Sequence, residues 1–253
     1  MKYLFIVLIP LVVISCKSEQ EIKKLSADDI VDKSIEVSGG ETFDSTAVII
    51  KFNFRDILYK STYTSEAKVL SRMILKERDS IIDFLKGEIF QRYINEVPVK
   101  VEDSMIPKYS ASINSVHYFS TLPYGLNDKA VNKTLLGEEQ INTKNYYKIK
   151  VTFNKEGGGE DFEDVFMYWV NKQSFKIDYL AYSYNEDDDV GMRFREAFNE
   201  RYINGIRFVD YNNYKVEDTS IQLLDLGKAY GNNQLKLLSK IELKNVTVDL
   251  IDN

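Results

Sequence analysis

From about residue 46 onward the chain alternates. "TAVIIKFNFRDI", "AKVLSRMILKERD", "SIIDFLKG" and "EIFQRYINEV" are rich in β-branched and aromatic residues and set apolar side chains at alternate positions. A period of two sends successive side chains to opposite faces of a strand, so each run has one face to bury and one to expose. The connections are short, which makes neighbouring strands antiparallel. The texture returns in "VNKTLLGEEQI", "KNYYKIKVTFN", "DFEDVFMYWVN", "SFKIDYLAYSY", "VGMRFREAFNERYI" and "GIRFVDYNNYKV", and "LKLLSKIELKNVTVDL" reads as a last strand. Strand follows strand.

Helical patterns interrupt this order only briefly. In "LSADDIVDKSIEVSGG" Ser26 is an N-cap with Asp29 three residues on, and Leu25 with Ile30 forms a hydrophobic staple. Ala27, Ile30, Val31, Ser34 and Ser38 share one stripe, and Gly39-Gly40 ends the helix. A central helix starts at Pro107, carries Tyr109, Ile113 and Val116 at helical spacing, and closes before Pro123. A short helix is expected in "SIQLLDLGKAY". Asn204-Gly205 between two alternating runs predicts a type I′ hairpin, because both central positions need positive φ. With no repeat period and no internal linker, residues 26–253 read as one domain. The fold class expected is mainly β (α+β): a large curved antiparallel sheet or half-closed barrel of about ten to twelve strands, with two or three helices on its concave face.

The amino terminus is an address. In "MKYLFIVLIPLVVISCKSEQE", Lys2 is a short positive region and Tyr3 to Ile14 an apolar one, shorter than the ~20 residues a spanning helix needs. Val13-Ile14-Ser15 before Cys16 resembles the bacterial lipobox. That resemblance implies a signal peptide over residues 1–15, cleavage after Ser15, lipidation of Cys16, and a polar tether over residues 16–25. Cys16 is the only cysteine of the chain, so no internal disulfide forms. Lys17 stands where a retention signal for the inner membrane would carry aspartate, which points to an outer-membrane lipoprotein. The acidic Glu19 and Glu21 leave open whether it faces the periplasm or the cell surface.

Among 253 residues there are 17 Tyr and 14 Phe, ample for a core and for lining a cavity. The formal net charge of −6, with no basic block to offset it, argues against nucleic acid as a partner. The element order resembles the outer-membrane lipoprotein carrier and receptor fold, a half-closed barrel wrapped around helices, whose concave face is an apolar pocket for acyl chains. "HYFSTLPYGLND", "VTFNKEGGGEDFEDVFMYW", "DYLAYSY" and "GMRFREAFNERYINGIRFVDYNNY" resemble a Bacteroidota-type lipoprotein family of unassigned activity, some members of which carry the label deoxyribose-phosphate aldolase. The aldolase label conflicts with the pattern: that chemistry uses a Schiff-base lysine in a parallel barrel, which requires strands alternating with helices.

Few residues suggest chemistry. Gly157-Gly158-Gly159 lies between two β-type runs and reads as a hairpin loop rather than a phosphate cradle, since no helix follows. The flanking Glu160, Asp161, Glu163 and Asp164 read as solvated charges before a paired-carboxylate site. "NEDDDVG" misses the spacing of a calcium loop, so no metal is expected. His117, the only histidine, is a hydrogen-bonded helix residue by default and a site residue by alternative. Arg193, Arg195 and Arg201 fall on one strand face, with Met192, Phe194 and Phe198 on the other. Three arginines can hold a carboxylate or phosphate head group above an apolar cavity, or can form a salt-bridge ladder on a solvent face. Asp178 is a candidate partner across the sheet, and Tyr179 and Trp169 are candidate pocket walls. The ligand-binding candidates are therefore Arg193, Arg195, Arg201, Asp178, Tyr179, Trp169 and His117. There is no nucleophile elbow, and neither a catalytic residue nor a cofactor is assigned.

Three functions remain. The first is a module anchored to the membrane that binds a lipid or other hydrophobic small molecule. The second is a structural component docked on an outer-membrane protein complex. The third is an envelope hydrolase, which would need convergent polar groups such as His117 with Asp178.

Overall fold

The computed structural model describes residues 24–159, 162–186 and 189–251. The expected leader, Cys16 and most of the expected tether lie outside the described residues, as do Glu160, Asp161, Asp187 and Asp188 of the two acidic clusters. Two antiparallel sheets of seven strands each make up the body. The first is a meander of β1 (Ala47–Phe54), β2 (Ile57–Tyr63), β3 (Lys68–Lys76), β4 (Asp79–Lys86), β5 (Ile89–Ile94) and β6 (Val97–Val99). The second runs through β7 (Val131–Ile141), β8 (Lys144–Phe153), β9 (Val165–Asn171), β10 (Ile177–Glu186), β11 (Asp189–Ile203), β12 (Ile206–Lys215) and β13 (Lys236–Ile241). The last strand, β14 (Lys244–Ile251), returns to pair with β1 in the first sheet. The fold is mainly β, and the sheets do not close into a barrel.

The stretch expected to be one final strand is thus two, in different sheets. Only Glu242 and Leu243 separate them. At this corner Leu243 loses its ladder partners and takes side chains instead: its N–H donates to Asp210 Oδ1 at 2.9 Å, and its carbonyl accepts from Arg201 Nη2 at 2.7 Å. A buried backbone pair left unsatisfied would be costly, so these two residues make the crossing possible. This division, with β2 and the short β6, takes the strand count among the described residues to fourteen, above the ten to twelve expected.

Helix α1 (Ala27–Val37) starts with the capping box foreseen: Ser26 Oγ accepts from Asp29 N–H at 3.0 Å, and Asp29 Oδ2 accepts from Ser26 N–H at 2.8 Å. It buries Ala27, Ile30, Val31 and Ser34. Ile30 and Val31 join Ile149, Val151, Tyr168 and Leu180 in a core on the inner face of the second sheet. Its end abuts the Asn204-Gly205 turn, where both φ values are positive (47° and 82°), as the type I′ reading requires. A Cβ on Gly39 would stand 2.0 Å from the Gly205 carbonyl oxygen, so only glycine fits there.

A five-residue helix, α2 (Glu41–Ser45), leads into β1. Helix α3 (Ile106–Ser120), with proline in its first turn, packs against β3 and β4. Its Ile113 meets Leu70 and Leu85. Helix α4 (Leu226–Gly231) lies on the opposite, outer face of the second sheet, against Trp169, Tyr179 and Phe194. There a Cβ on Gly227 would reach within 2.8 Å of the Trp169 ring. The second sheet is therefore covered on both faces. Among the described residues no helix is long and apolar enough to cross a membrane.

Candidate functional site

Helix α3 leans on the first sheet and leaves a gap to the second. Aromatic side chains bridge it at intervals. The Tyr118 and Tyr168 hydroxyls meet at 2.5 Å, and Phe119 stands 5.4 Å from Tyr182 between ring centroids. Burial raises the pKa of both Tyr118 and Tyr168, so this contact stays between neutral phenols. Between the bridges lies a cavity of about 360 Å³.

Its walls are mostly aromatic and aliphatic. Val116, Tyr118 and Phe119 line it from α3, and Phe153 and Phe166 from β8 and β9. Val209 and Tyr211 form part of the floor, and Ile241 and Leu243 close the corner between the sheets. The glycine loop between β8 and β9 is a hairpin connection, as its sequence implies, and its Gly158 and Asp164 border the cavity. The polar groups are Asn114, Ser115, Ser120, Asp164, Asn213 and Ser239, with the exposed Arg55 on the β1–β2 turn and Arg195.

Arg195 is the one buried cation of this lining, 9% exposed. Its Nη2 donates to the Tyr182 hydroxyl at 2.9 Å, and its guanidinium carbon lies 3.8 Å from the centroid of the Phe119 ring. Its Nε has no hydrogen-bond partner, and neither does Oδ1 of Asn213, the residue opposite it on β12.

The other candidates do not gather here. Arg193 shares the face of Arg195 but lies farther along β11, 4.9 Å from the Tyr184 ring, and donates to the carbonyl of Met192 at 3.0 Å. Arg201 is a corner residue, bonded to Asp210 at 3.1 Å as well as to Leu243. A bulge separates it from the others: β11 carries one extra residue between Phe198 and Arg201, with Asn199 at φ 51°. Such a bulge reverses the alternation, which places Arg201 on the other face. Trp169 and Tyr179 are buried beneath α4, on the side away from the cavity.

Asp178 accepts from the Tyr146 hydroxyl and from Asn171 Nδ2, both at 3.1 Å, and borders a second hollow of about 400 Å³. That hollow is open and polar, and within it Glu200 receives Lys176 at 2.6 Å and Arg207 at 2.7 Å. Burial would raise the Glu200 pKa, yet these two partners hold it below the usual carboxylate range.

His117 is fully buried between α3 and the first sheet. Its Nε2 lies 3.0 Å from the Ser71 carbonyl, and the Phe52 and Tyr59 rings meet it edge-on. Burial, opposed by the bond to Ser71, lowers its pKa to about 4. It is a neutral packing residue, remote from Asp178. Among the described residues no group of three or more His, Cys, Asp or Glu could hold a metal ion.

Tyr182, Tyr211, Asn213 and Phe119 belong to the cavity and are missed by sequence reasoning. Cross-strand register would have revealed Asn213, but only with the bulge known. Carried from the Asn204-Gly205 turn without it, the pairing puts Arg195 opposite Tyr214 instead.

Kinship rests on most of the chain: the model of the Family of unknown function (DUF6503) matches residues 2–243. The chain belongs to that family. No curated protein matches this DUF6503 chain. Among solved structures it is similar to a LolA superfamily protein from Nitrosomonas europaea, at 14% identity and a TM-score of 0.46, covering 90% of this chain and 93% of that one. It is also similar to a DUF1329 family protein from Desulfovibrio piger (13% identity, TM-score 0.43, 89% and 94% covered). A third is the Mycobacterium tuberculosis lipoprotein LppX (13%, 0.28, 63% and 90%).

Proposed function

We propose that this protein is a binding module of the cell envelope, held to the outer membrane through a lipid on Cys16, that carries a lipid or other hydrophobic small molecule between α3 and the second sheet. One observation carries the reading: the cavity of about 360 Å³ has aromatic and aliphatic walls with a few polar groups. Ligand pockets span roughly 300–1,000 Å³ with that same balance. A volume at the lower end suits one chain or one compact molecule. Residues 1–15 are its signal peptide, residues 16–25 its tether and residues 26–253 its domain. The reading gives the protein no chemical step.

Native mass spectrometry tests it. Residues 17–253, which retain every described element, are expressed in a Gram-negative periplasm and purified gently. The expected result is a reproducible extra mass that leaves on denaturation and is identified as an apolar molecule. A clean apo mass from folded protein, with no uptake of added lipid, would remove the reading.

A second reading has its own observation. On the outer face of the first sheet Met73, Ile82 and Tyr93 stand side by side across β3, β4 and β5. On the same face, toward opposite ends of β4, Leu75 and Ile89 are 71% and 72% exposed. An uncovered apolar stretch of this kind suits docking on an outer-membrane protein partner. Co-purification of a defined partner, lost on Leu75→Glu with Ile89→Glu, would favour it.

A further inference from the structure

Three described arginines are at least nine-tenths buried: Arg72, Arg195 and Arg207. Two of them have carboxylates, Asp83 at 2.9 Å and Glu200 at 2.7 Å. Arg195 has none among the described residues. Among the described residues its one hydrogen bond goes from Nη2 to the Tyr182 hydroxyl, and the hydrogens on Nη1 meet no acceptor there. A guanidinium cannot shed its charge by deprotonating, and an isolated buried charge is costly unless paired. The fold pairs its other buried arginines with carboxylates and leaves this one unpaired among the described residues, on a largely aromatic cavity whose lining also holds Asp164.

Resting on the binding reading above, we infer that the ligand is a hydrophobic monocarboxylate, its carboxylate bonded to Arg195 and its apolar body along Phe119, Phe166 and Val209. The planar guanidinium with an unused edge matches a carboxylate. One negative charge is the right number. The other cation of the lining, Arg55, is exposed on the β1–β2 turn, so a phosphate monoester would leave its second charge uncompensated at the depth of Arg195. The head-group contact rests on Arg195 alone: the unpartnered amide oxygen of Asn213, opposite it, is an acceptor and makes no bond to a carboxylate, and Asn213 Nδ2 donates to Ser239 Oγ at 3.2 Å. The ligand therefore sits with its head against the sheet, not at the rim.

The test compares palmitate, 1-hexadecanol and hexadecyl phosphate on delipidated residues 17–253 by titration calorimetry. Palmitate is expected to bind about ten- to a hundredfold tighter than the alcohol, the ratio for a hydrogen bond to a charged group. In Arg195→Met palmitate should fall to the level of the alcohol, with alcohol binding kept, and Arg195→Lys should recover part of the difference. Retained alcohol binding shows that the variants fold. Equal affinities in the wild type, or a preference unmoved by Arg195→Met, would overturn the carboxylate assignment and leave the binding module standing. Tighter binding of the phosphate than of palmitate would also overturn it. Failure of all three probes to bind would remove both readings together.

Discussion

Helix α3 has two sides, and they treat buried charge differently. Toward the first sheet, Asp83 is fully buried and sits between two arginines: Arg72 Nε at 2.9 Å, Arg92 Nε at 2.6 Å and Arg92 Nη2 at 2.9 Å. Arg72 also donates to Ser112 of α3 at 2.8 Å, and Arg92 lies 4.1 Å from the centroid of the Tyr109 ring on the same helix. The hydrogen bond to Asp83 raises the Arg92 pKa. Toward the second sheet stands Arg195, facing a void and without a carboxylate partner among the described residues. The first arrangement is a clamp that fixes the helix. The second is an open valence. Burial alone does not separate structural charge from charge kept for a ligand; its pairing does.

Removing the centre of the clamp should have the largest effect. Asp83→Ala leaves two arginines without their carboxylate, and breaking a buried pair costs about 3–5 kcal/mol. Chemical denaturation should show this as a lower midpoint with an unchanged slope. A loss under about 1 kcal/mol would mean that the clamp is not what holds α3 to the first sheet.

His117, on the same side, makes the next test one of pH. Its folded pKa of about 4 lies below the ordinary 6.5, because burial disfavours the imidazolium. The unfolded chain therefore binds this proton first as pH falls. The stability contributed is intact above about pH 6.5 and lost as pH drops toward 4, reaching about 3 kcal/mol. Comparison of the stability–pH curves of wild type and His117→Gln isolates this contribution from that of the carboxylates. A parallel pair of curves between pH 7 and 4 would show the histidine to be hydrated.

Across the gap, Tyr118→Phe orphans the buried Tyr168 hydroxyl, at a cost of about 1–3 kcal/mol. The double change Tyr118→Phe with Tyr168→Phe should recover most of that loss, since neither hydroxyl is then left alone. If the double variant is as unstable as the single one, the bridge works through packing rather than through its hydrogen bond.

The fold was legible where local chemistry decides it. The Ser26–Asp29 capping box, the stripe from Ala27 to Ser34, the Asn204-Gly205 turn and the glycine-rich hairpin all follow from neighbours in sequence. Two features were hidden because they depend on distant partners. The break at Glu242-Leu243 is made by Asp210 and Arg201, and nothing in the alternation of "LKLLSKIELKNVTVDL" marks it. The bulge at Asn199 is equally silent, and it splits the three arginines. Alternation also gives the two faces of β9 and β10 without saying which helix covers each. Trp169 and Tyr179 therefore read as cavity walls although they lie under α4, a helix expected on the other side. Of the candidate site, only Arg195 was both foreseen and found in the cavity.

The smallest effect expected on stability is the most telling about the comparison. Arg195→Met removes a stacked guanidinium and its bond to Tyr182, but also removes a desolvated charge that no carboxylate offsets. The stacking contributes about 1–2 kcal/mol when desolvated, while replacing a buried ion by an apolar side chain of similar length is often neutral or stabilising. The two oppose, and thermal denaturation of delipidated protein should find Arg195→Met within about 1 kcal/mol of wild type. Asp83→Ala and Arg195→Met would then differ by several kcal/mol although both groups are buried, because only one sits in a closed set of partners. A large loss in Arg195→Met without ligand would place it with the clamp, as a residue the empty fold needs. Its open edge would then be a packing compromise, not a binding position.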